Sequence, residues 1–168
     1  MTATTTGIAE QSIRLLTPWL GEICWDAACE VHFAAGLPGF EQYRRMVPLE
    51  IPSQRPLVYL QSAEQAGVCF LTLPVLVVYP GFALHLSEDD LSLLEFDPAG
   101  SSPGESPALG TDALCLALLR PFGNTVETNL DAPIVINLHN SRGIQAVSPA
   151  TAAGSYRLTR DGNWQAVC

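Results

Sequence analysis

The fold class of this chain can be inferred from the apolar segment GVCFLTLPVLVVYPGFALHL, residues 67–86. This segment contains no charged residue, and it is long enough to raise the question of a membrane-spanning helix. Pro74, Pro80 and Gly81 divide it into short pieces, in which valine and aromatic residues dominate. Such pieces are typical of strands, and no arginine lies nearby to orient a membrane span. The stretch therefore predicts strands and tight turns and argues against a membrane segment.

The chain on both sides of this stretch repeats the same pattern of short apolar runs punctuated by proline and glycine. The connections are too short to hold crossover helices, which disfavours a parallel α/β fold. We therefore expect a mainly β, single-domain fold, an antiparallel sheet curled into a barrel or sandwich. The predicted strands lie near residues 29–33, 44–50, 57–62, 68–73, 82–86, 114–119, 133–138 and 143–147.

One short helix is predicted after the last apolar piece. Ser87 supplies a capping hydroxyl, and Glu88, Asp89 and Asp90 follow it in the first turn, where the helix dipole favours negative charge. Leu91, Leu93 and Leu94 are then expected to press this helix onto the sheet.

Three segments differ from the strand-rich part in composition. Ile13, Leu16 and Leu20 are spaced as in a short amphipathic helix, although Pro18 weakens that prediction. Residues 96–110 are so rich in proline, glycine and serine that they predict a flexible surface loop. The predicted organisation is a lead-in over residues 1–29, a β-barrel domain over residues 30–148, and a poorly patterned, partly ordered tail over residues 149–168.

The charge of the chain is strongly acidic. Seventeen Asp and Glu residues face eight basic residues, all of them arginine, and the formal net charge is -9. Residues 56–119 contain no basic residue. Such a field repels phosphate backbones and anionic lipids, so we expect no direct nucleic-acid or membrane binding and an attraction toward basic proteins.

Cysteine usage and the N-terminus both predict a cytoplasmic protein. The five cysteines are an odd number and match no zinc spacing, so reduced structural thiols are expected. The first residues, MTATTTGIAEQSIRLL, lack the basic start and uninterrupted apolar run of a secretory signal.

The sequence contains no recognisable catalytic or metal-binding motif. A cysteine hydrolase would combine Cys69 or Cys115 with His85 or His139, but both cysteines lie in apolar strand-like runs, where a thiol is usually inert packing. The three histidines are scattered singly, and the spacing of the acidic run does not fit an EF-hand. No glycine-rich phosphate loop is present. We expect no enzyme activity, no metal and no cofactor.

Six segments, taken in order, resemble the bacterial flagellar assembly factor FliW family. They are FAAGLPGFE (33–41), LVYLQS (57–62), CFLTLP (69–74), YPGFALHLSEDDL (79–91), NLDAPIVIN (129–137) and GIQAV (143–147). The resemblance implies a compact antiparallel β-barrel without enzyme activity that works in the cytoplasm through protein partners. In that family the protein binds flagellin, near the terminal helical region of flagellin. It alternatively binds CsrA, the carbon storage regulator that represses translation.

Partner contacts are predicted at Tyr79, Phe82, Glu88, Asp89 and Asp90. An apolar rim beside a negative patch is what an amphipathic basic helix would bind. The lead-in, the 96–110 loop and the tail depart from the family pattern and leave partner choice open. Two other functions are weighed: a small barrel that binds an apolar ligand in an interior cavity, and the cysteine hydrolase described above.

Overall fold

The computed structural model describes residues 12–96, 106–147 and 154–167 of the chain. The helices are α1 (Val75–Val78) and α2 (Glu88–Leu93), with 3-10 turns at Ala27–Cys29 and Pro52–Gln54. The strands are β1 (Ser12–Thr17), β2 (Gly21–Asp26), β3 (Val31–His32), β4 (Arg45–Glu50), β5 (Val58–Ser62), β6 (Cys69–Pro74), β7 (Ala113–Phe122), β8 (Thr125–Asn129), β9 (Ile134–Asn137), β10 (Arg142–Gln145), β11 (Ser155–Leu158) and β12 (Trp164–Val167).

Seven of these strands close into a barrel. They follow the order β7-β6-β5-β4-β3-β10-β9, and pairing of β7 with β9 completes the ring. Neighbours are antiparallel except β3 and β10, where His32 lies opposite Arg142 in a parallel pair. Each barrel strand overlaps one of the predicted runs, so the predicted mainly β, barrel-like fold is confirmed.

Strand β7 separates two hydrophobic clusters, because successive side chains of a strand point to opposite faces. Leu114 and Leu116 point into the barrel and belong to the inner cluster, while Cys115 and Ala117 belong to the outer cluster. The inner cluster also contains Val31, Phe33, Leu37, Met46, Val58, Leu60, Ile134 and Ile136. The outer cluster also contains Leu73, Val75, Val78, Leu84, Leu94, Ala113, Leu130, Val135, Ile144 and Ala146.

The outer cluster is covered by three pieces of chain: α1, the segment from residue 82 to α2, and the hairpin of β11 and β12. We call this hairpin, residues 154–167, the arm. It extends the sheet beyond the barrel, because β8 pairs with β7 on one side and with β11 on the other. Tyr156 and Trp164 of the arm pack against the outer cluster.

A buried carboxylate fastens the arm to the barrel sheet. Glu127 on β8 is 3% exposed and accepts hydrogen bonds from Arg157 of the arm, at 2.8 Å to Nε, and from Arg120 of β7, also at 2.8 Å. The Arg157 guanidinium lies 4.0 Å from the centroid of the Phe122 ring. The hydrogen bonds from Arg157, together with the charges of both arginines, hold the pKa of Glu127 below its ordinary value of 4.5.

The N-terminal prediction of a short helix is wrong. Residues 12–26 form the β1–β2 hairpin, a two-stranded sheet of its own in which Leu16 pairs with Glu22. Pro18 lies in the turn, and Gly21 has φ of 68°. The helical spacing misleads because Leu16 is 73% exposed and Ile13 points to the other face. Residues 1–11 of the predicted lead-in lie outside the described residues.

Two further predictions are corrected. Residues 82–86 alternate as a strand should, with Phe82, Leu84 and Leu86 on the outer cluster, but they form no strand because they cross this cluster without a paired neighbour. In the tail, residues 155–158 and 164–167 form ordered strands of the main sheet, because Tyr156 and Trp164 complete the outer cluster. Residues 97–105 of the predicted loop, and residues 148–153 and 168, lie outside the described residues.

The close contact of Gly143 with Phe33 yields a stability prediction. A Cβ at position 143 would lie 2.5 Å from Cζ of the fully buried Phe33 ring. We expect Gly143→Ala to lower the free energy of unfolding by about 1–3 kcal/mol, as overpacking does. The matched control is Gly67→Ala, whose Cβ would meet no atom within 4 Å. Urea unfolding checks both variants, and equal midpoints would contradict the prediction.

The lowered pKa of Glu127 yields a second prediction. Because the folded-state pKa lies below 4.5, the ion pairs contribute their full stability above that pH and lose it as the pH falls through the folded-state value. We expect Glu127→Gln to be less stable than wild type at about pH 7 and to converge toward it at about pH 3. Urea unfolding at several pH values measures this difference.

The control for that experiment is Glu22→Gln. Glu22 pairs with Arg14 at 3.8 Å, with both side chains largely exposed, so the change should alter stability little at any pH. A difference between Glu127→Gln and wild type that stays constant with pH would contradict the assignment.

Candidate partner-binding site

The five residues predicted to contact partners lie on two segments that follow one another along the chain. Tyr79 and Phe82 follow α1, and Glu88, Asp89 and Asp90 form the first turn of α2. Both segments are anchored in the outer cluster, the first through Val78 and the second through Leu94. The fold thus places the aromatic and the acidic residues over one hydrophobic cluster, and we call this region, residues 75–96, the candidate surface.

Helix α1 adds two exposed apolar residues that the sequence analysis did not single out. Val75 and Val78 are buried under the helix, while Leu76 is 42% and Val77 41% exposed. All four residues belong to one uninterrupted apolar run, so the sequence holds no sign of which ones face solvent. A helical turn directly after Pro74 divides the run into a buried and an exposed pair.

Tyr79 continues this apolar surface and is 40% exposed. Its ring stacks on Tyr156 of the arm, with ring centroids 5.9 Å apart and planes at 21°. The ring also lies over Gly81, where a Cβ would come within 3.0 Å of it. Phe82, in contrast, is half-buried and packs against the outer cluster. Of the two predicted aromatic contacts, Tyr79 is therefore the one that presents a ring to solvent.

Helix α2 begins as predicted, with a reciprocal capping box. Ser87 Oγ accepts a hydrogen bond from the Asp90 N–H at 3.0 Å, and the Asp90 carboxylate accepts one from the Ser87 N–H at 3.2 Å. Such a box satisfies two backbone donors that a helix start would otherwise leave free. Asp90 is thereby engaged in the cap, while Glu88 and Asp89 extend into solvent.

The other end of α2 is held by the turn between β9 and β10. The carbonyl of the fully buried Leu94 accepts hydrogen bonds from the side-chain amides of Asn137, at 2.9 Å, and Asn140, at 3.0 Å. Arg142 pairs with Glu95 at 2.9 Å. These contacts fix the acidic turn of α2 relative to the barrel.

The leucines of this helix differ from the prediction. Leu94 is buried and Leu91 is half-buried, but Leu93 is 45% exposed and does not press onto the sheet. The prediction assigned all three to one face, whereas a six-residue helix followed by a turn can bury only part of them. Leu93 therefore adds to the exposed apolar area of the candidate surface.

Glu88 and Asp89, the exposed acids in the first turn of α2, have no basic neighbour within the described part of the chain. Within the described residues, no basic side chain lies within 4.0 Å of the carboxylates of Glu88 or Asp89. Residues 56–119 also supply no arginine of their own. The surface therefore combines unpaired negative charge with exposed apolar side chains.

The structure also bears on the two other functions considered for this chain, a cysteine hydrolase and a barrel that binds an apolar ligand. Cys115 is buried, which raises the pKa of its thiol to about 12, and burial also raises the pKa of Cys69. Both thiols are therefore protonated at neutral pH, unlike a catalytic thiolate. The barrel interior holds the side chains of the inner cluster, including the fully buried Phe33, Met46 and Leu60. These buried side chains point into the interior, which is where a small barrel would hold an apolar ligand.

The histidines do not converge on a metal. His139 pairs with Asp112 at 3.0 Å on the surface. Over residues 12–96, 106–147 and 154–167, no group of three or more His, Cys, Asp or Glu side chains is arranged to hold a metal ion. In the same part of the chain, no helix has both the length and the apolar character needed to cross a membrane.

The sequence matches a known family over most of its length. The family model described as FliW protein matches residues 14–158, from within β1 to the last residue of β11. The match therefore extends beyond residues 30–148, the span of the predicted barrel domain, at both ends.

Curated relatives named flagellar assembly factor FliW are similar to this chain. The relative from Bacillus velezensis is 29% identical over 131 residues, covering 78% of this chain and 85% of its own. The relative from Treponema pallidum is 29% identical over 135 residues, covering 79% and 82%. The relative from Clostridium beijerinckii is 28% identical over 127 residues, covering 76% and 84%.

A solved structure has the same fold. The crystal structure of the flagellar assembly factor FliW superposes with a TM-score of 0.69 and 24% identity, covering 83% of this chain and 91% of its own. The resemblance found in the six sequence segments is thus confirmed by the family match, by the relatives and by the fold. This chain belongs to the FliW protein family.

Proposed function

We propose that the protein is a flagellar assembly factor that acts in the cytoplasm, without enzyme activity, by binding flagellin and alternatively CsrA. Membership of the FliW family supports this proposal, because the curated relatives carry the name flagellar assembly factor. The two partners are those that the family resemblance implies. Binding of flagellin and binding of CsrA then compete, so that export of flagellin frees the protein to sequester the translational repressor.

The observation that carries the proposal is the combination of charge and apolar area on the candidate surface. Leu76, Val77 and Tyr79 offer exposed apolar area, and Glu88 and Asp89 offer unpaired carboxylates. A helix with an apolar face and a basic edge matches both features: its apolar face would cover α1, and its basic edge would face α2.

The charge pattern acts differently on the two partners. CsrA binds RNA, so it carries the basic surface that phosphate recognition requires. A negative patch in a chain of net charge -9 accelerates encounter with such a partner, and it affects the association rate more than the final affinity. Binding of the helical region of flagellin relies more on the apolar residues.

Charge reversal on α2 tests this proposal. We expect Glu88→Lys combined with Asp89→Lys to slow association with CsrA on the order of tenfold at low salt and to weaken the salt dependence. We expect Leu76→Ser combined with Val77→Ser to weaken the binding of both flagellin and CsrA. Stopped-flow association and calorimetric titration, each at low and moderate salt, measure these effects.

A matched control separates local from overall charge. Glu22→Lys combined with Asp161→Lys changes the net charge equally, but on exposed residues of β2 and of the β11–β12 turn. Unchanged CsrA association in the α2 variant, or equal slowing in the control, would refute the proposed surface. If the wild-type protein bound neither flagellin nor CsrA, the proposed function would be refuted.

A further inference from the structure

The arm presents an open sheet edge. β12 is the last strand of the ten-stranded sheet, and within the described residues β11 is its only pairing neighbour. The seven barrel strands have no such edge, because the barrel is closed. An unpaired strand edge exposes a row of N–H and C=O groups that can pair with another chain.

The hydrogen-bond pattern shows which backbone groups of β12 point outward. The Thr159 N–H donates to the Asn163 carbonyl at 2.8 Å, so this opposed pair is a hydrogen-bonded one. In an antiparallel ladder, bonded and non-bonded pairs alternate. The backbone groups of Gln165 and Val167 therefore bond inward to β11, where Arg157 and Ser155 lie opposite them. Trp164 and Ala166 turn their N–H and C=O groups to the open edge.

The opposite edge of β11 agrees with this assignment. The Leu130 N–H donates to the Gly154 carbonyl at 3.0 Å, which places the bonds of even-numbered β11 residues on the β8 side. Odd-numbered residues of β11 are left to bond to β12, as the Thr159–Asn163 pair requires. The hydrogen bonds on both sides of β11 therefore agree: even-numbered residues of β11 bond to β8, and odd-numbered residues bond to β12.

The edge lacks the features that protect exposed strands. Trp164, Gln165, Ala166 and Val167 include no charge and no proline, and their register with β11 is continuous, without a bulge. Monomeric proteins usually protect such edges with charged side chains, prolines or bulges. An uncharged, regular edge of this kind is therefore suited to backbone pairing.

We propose that β12 pairs antiparallel with β12 of a second copy and joins two molecules into a two-fold symmetric dimer with a continuous sheet. The outward positions allow a register in which Gln165 lies opposite its own counterpart. Trp164 of one copy then lies opposite Ala166 of the other, and each such pair exchanges both N–H···O bonds. The large Trp164 side chain meets the exposed, small Ala166 on the same face of the sheet.

Charge favours a contact between the arms of two copies over a contact between their acidic barrels. Residues 154–167 contain Arg157, Arg160 and Asp161 as their only charged residues, so the arm is not acidic, unlike the chain as a whole. Two copies that meet arm to arm bring together the parts that repel least. A two-fold contact is also self-limiting, because it uses the open edge of both molecules.

The experiment measures the mass of the purified full-length protein by sedimentation equilibrium from about 10 µM to about 1 mM, a range suited to a small interface. We expect the wild type to move from monomer toward dimer. Ala166→Pro removes an outward N–H and none that bonds to β11, so it should remain folded and weaken dimerisation at least tenfold. Ala166→Ser keeps the N–H and should behave as the wild type.

Amide hydrogen exchange on the wild type gives a second readout that does not depend on the folding of any variant. Exchange at Trp164 and Ala166 should slow as the protein concentration rises, while Gln165 and Val167 stay protected throughout. A wild type that is monomeric at every concentration would overturn the proposal. The open edge of β12 would then be assigned to pairing with an extended segment of another protein. A dimer that persists in Ala166→Pro would equally overturn it. The test is independent of binding to flagellin or CsrA.

Discussion

Side chains alternate along β7 between the inner and the outer hydrophobic cluster, and this alternation arranges both cores. Leu114, Leu116 and Leu118 point into the barrel, and the small residues Ala113, Cys115 and Ala117 face outward. Because these outward side chains are small, α1 and the segment leading to α2 can pack close to the barrel wall. β7 also closes the barrel through β9 and begins the extension of the sheet through β8. One strand therefore sets the inner core, the outer core and the position of the candidate surface.

The barrel could be predicted from the sequence because its strands carry their own local signals. Runs such as those around Leu60 and Ile134 are short, apolar and bounded by turn residues, so their type does not depend on distant contacts. The capping box at Ser87 is likewise a signal within four residues. The resemblance to the FliW family implied a compact antiparallel β-barrel, while the strand order and the closure through β7 and β9 come from the structure.

The elements that were missed depend on long-range contacts. The arm contains Arg157 and Arg160 within a polar sequence, and it forms strands because Glu127 and the outer cluster are present elsewhere in the fold. Residues 82–86 have the alternation of a strand but lack a neighbour with which to pair. The exposure of Leu76 and Val77 follows from the direction of one helical turn, which a run of four apolar residues does not encode. The acidic residues and Tyr79 of the candidate surface could be predicted, whereas the exposure of Leu76 and Val77 could not.

The position of the arm in the chain matters for how the protein folds. All seven barrel strands precede Tyr156 and Trp164 in the chain, so the barrel can close while the outer cluster still lacks these two rings. During that interval Tyr79 has no aromatic neighbour from the arm, and the apolar surface around α1 is larger than in the finished protein. The fold therefore allows two stages, in which the barrel closes first and the arm covers its outer face afterwards.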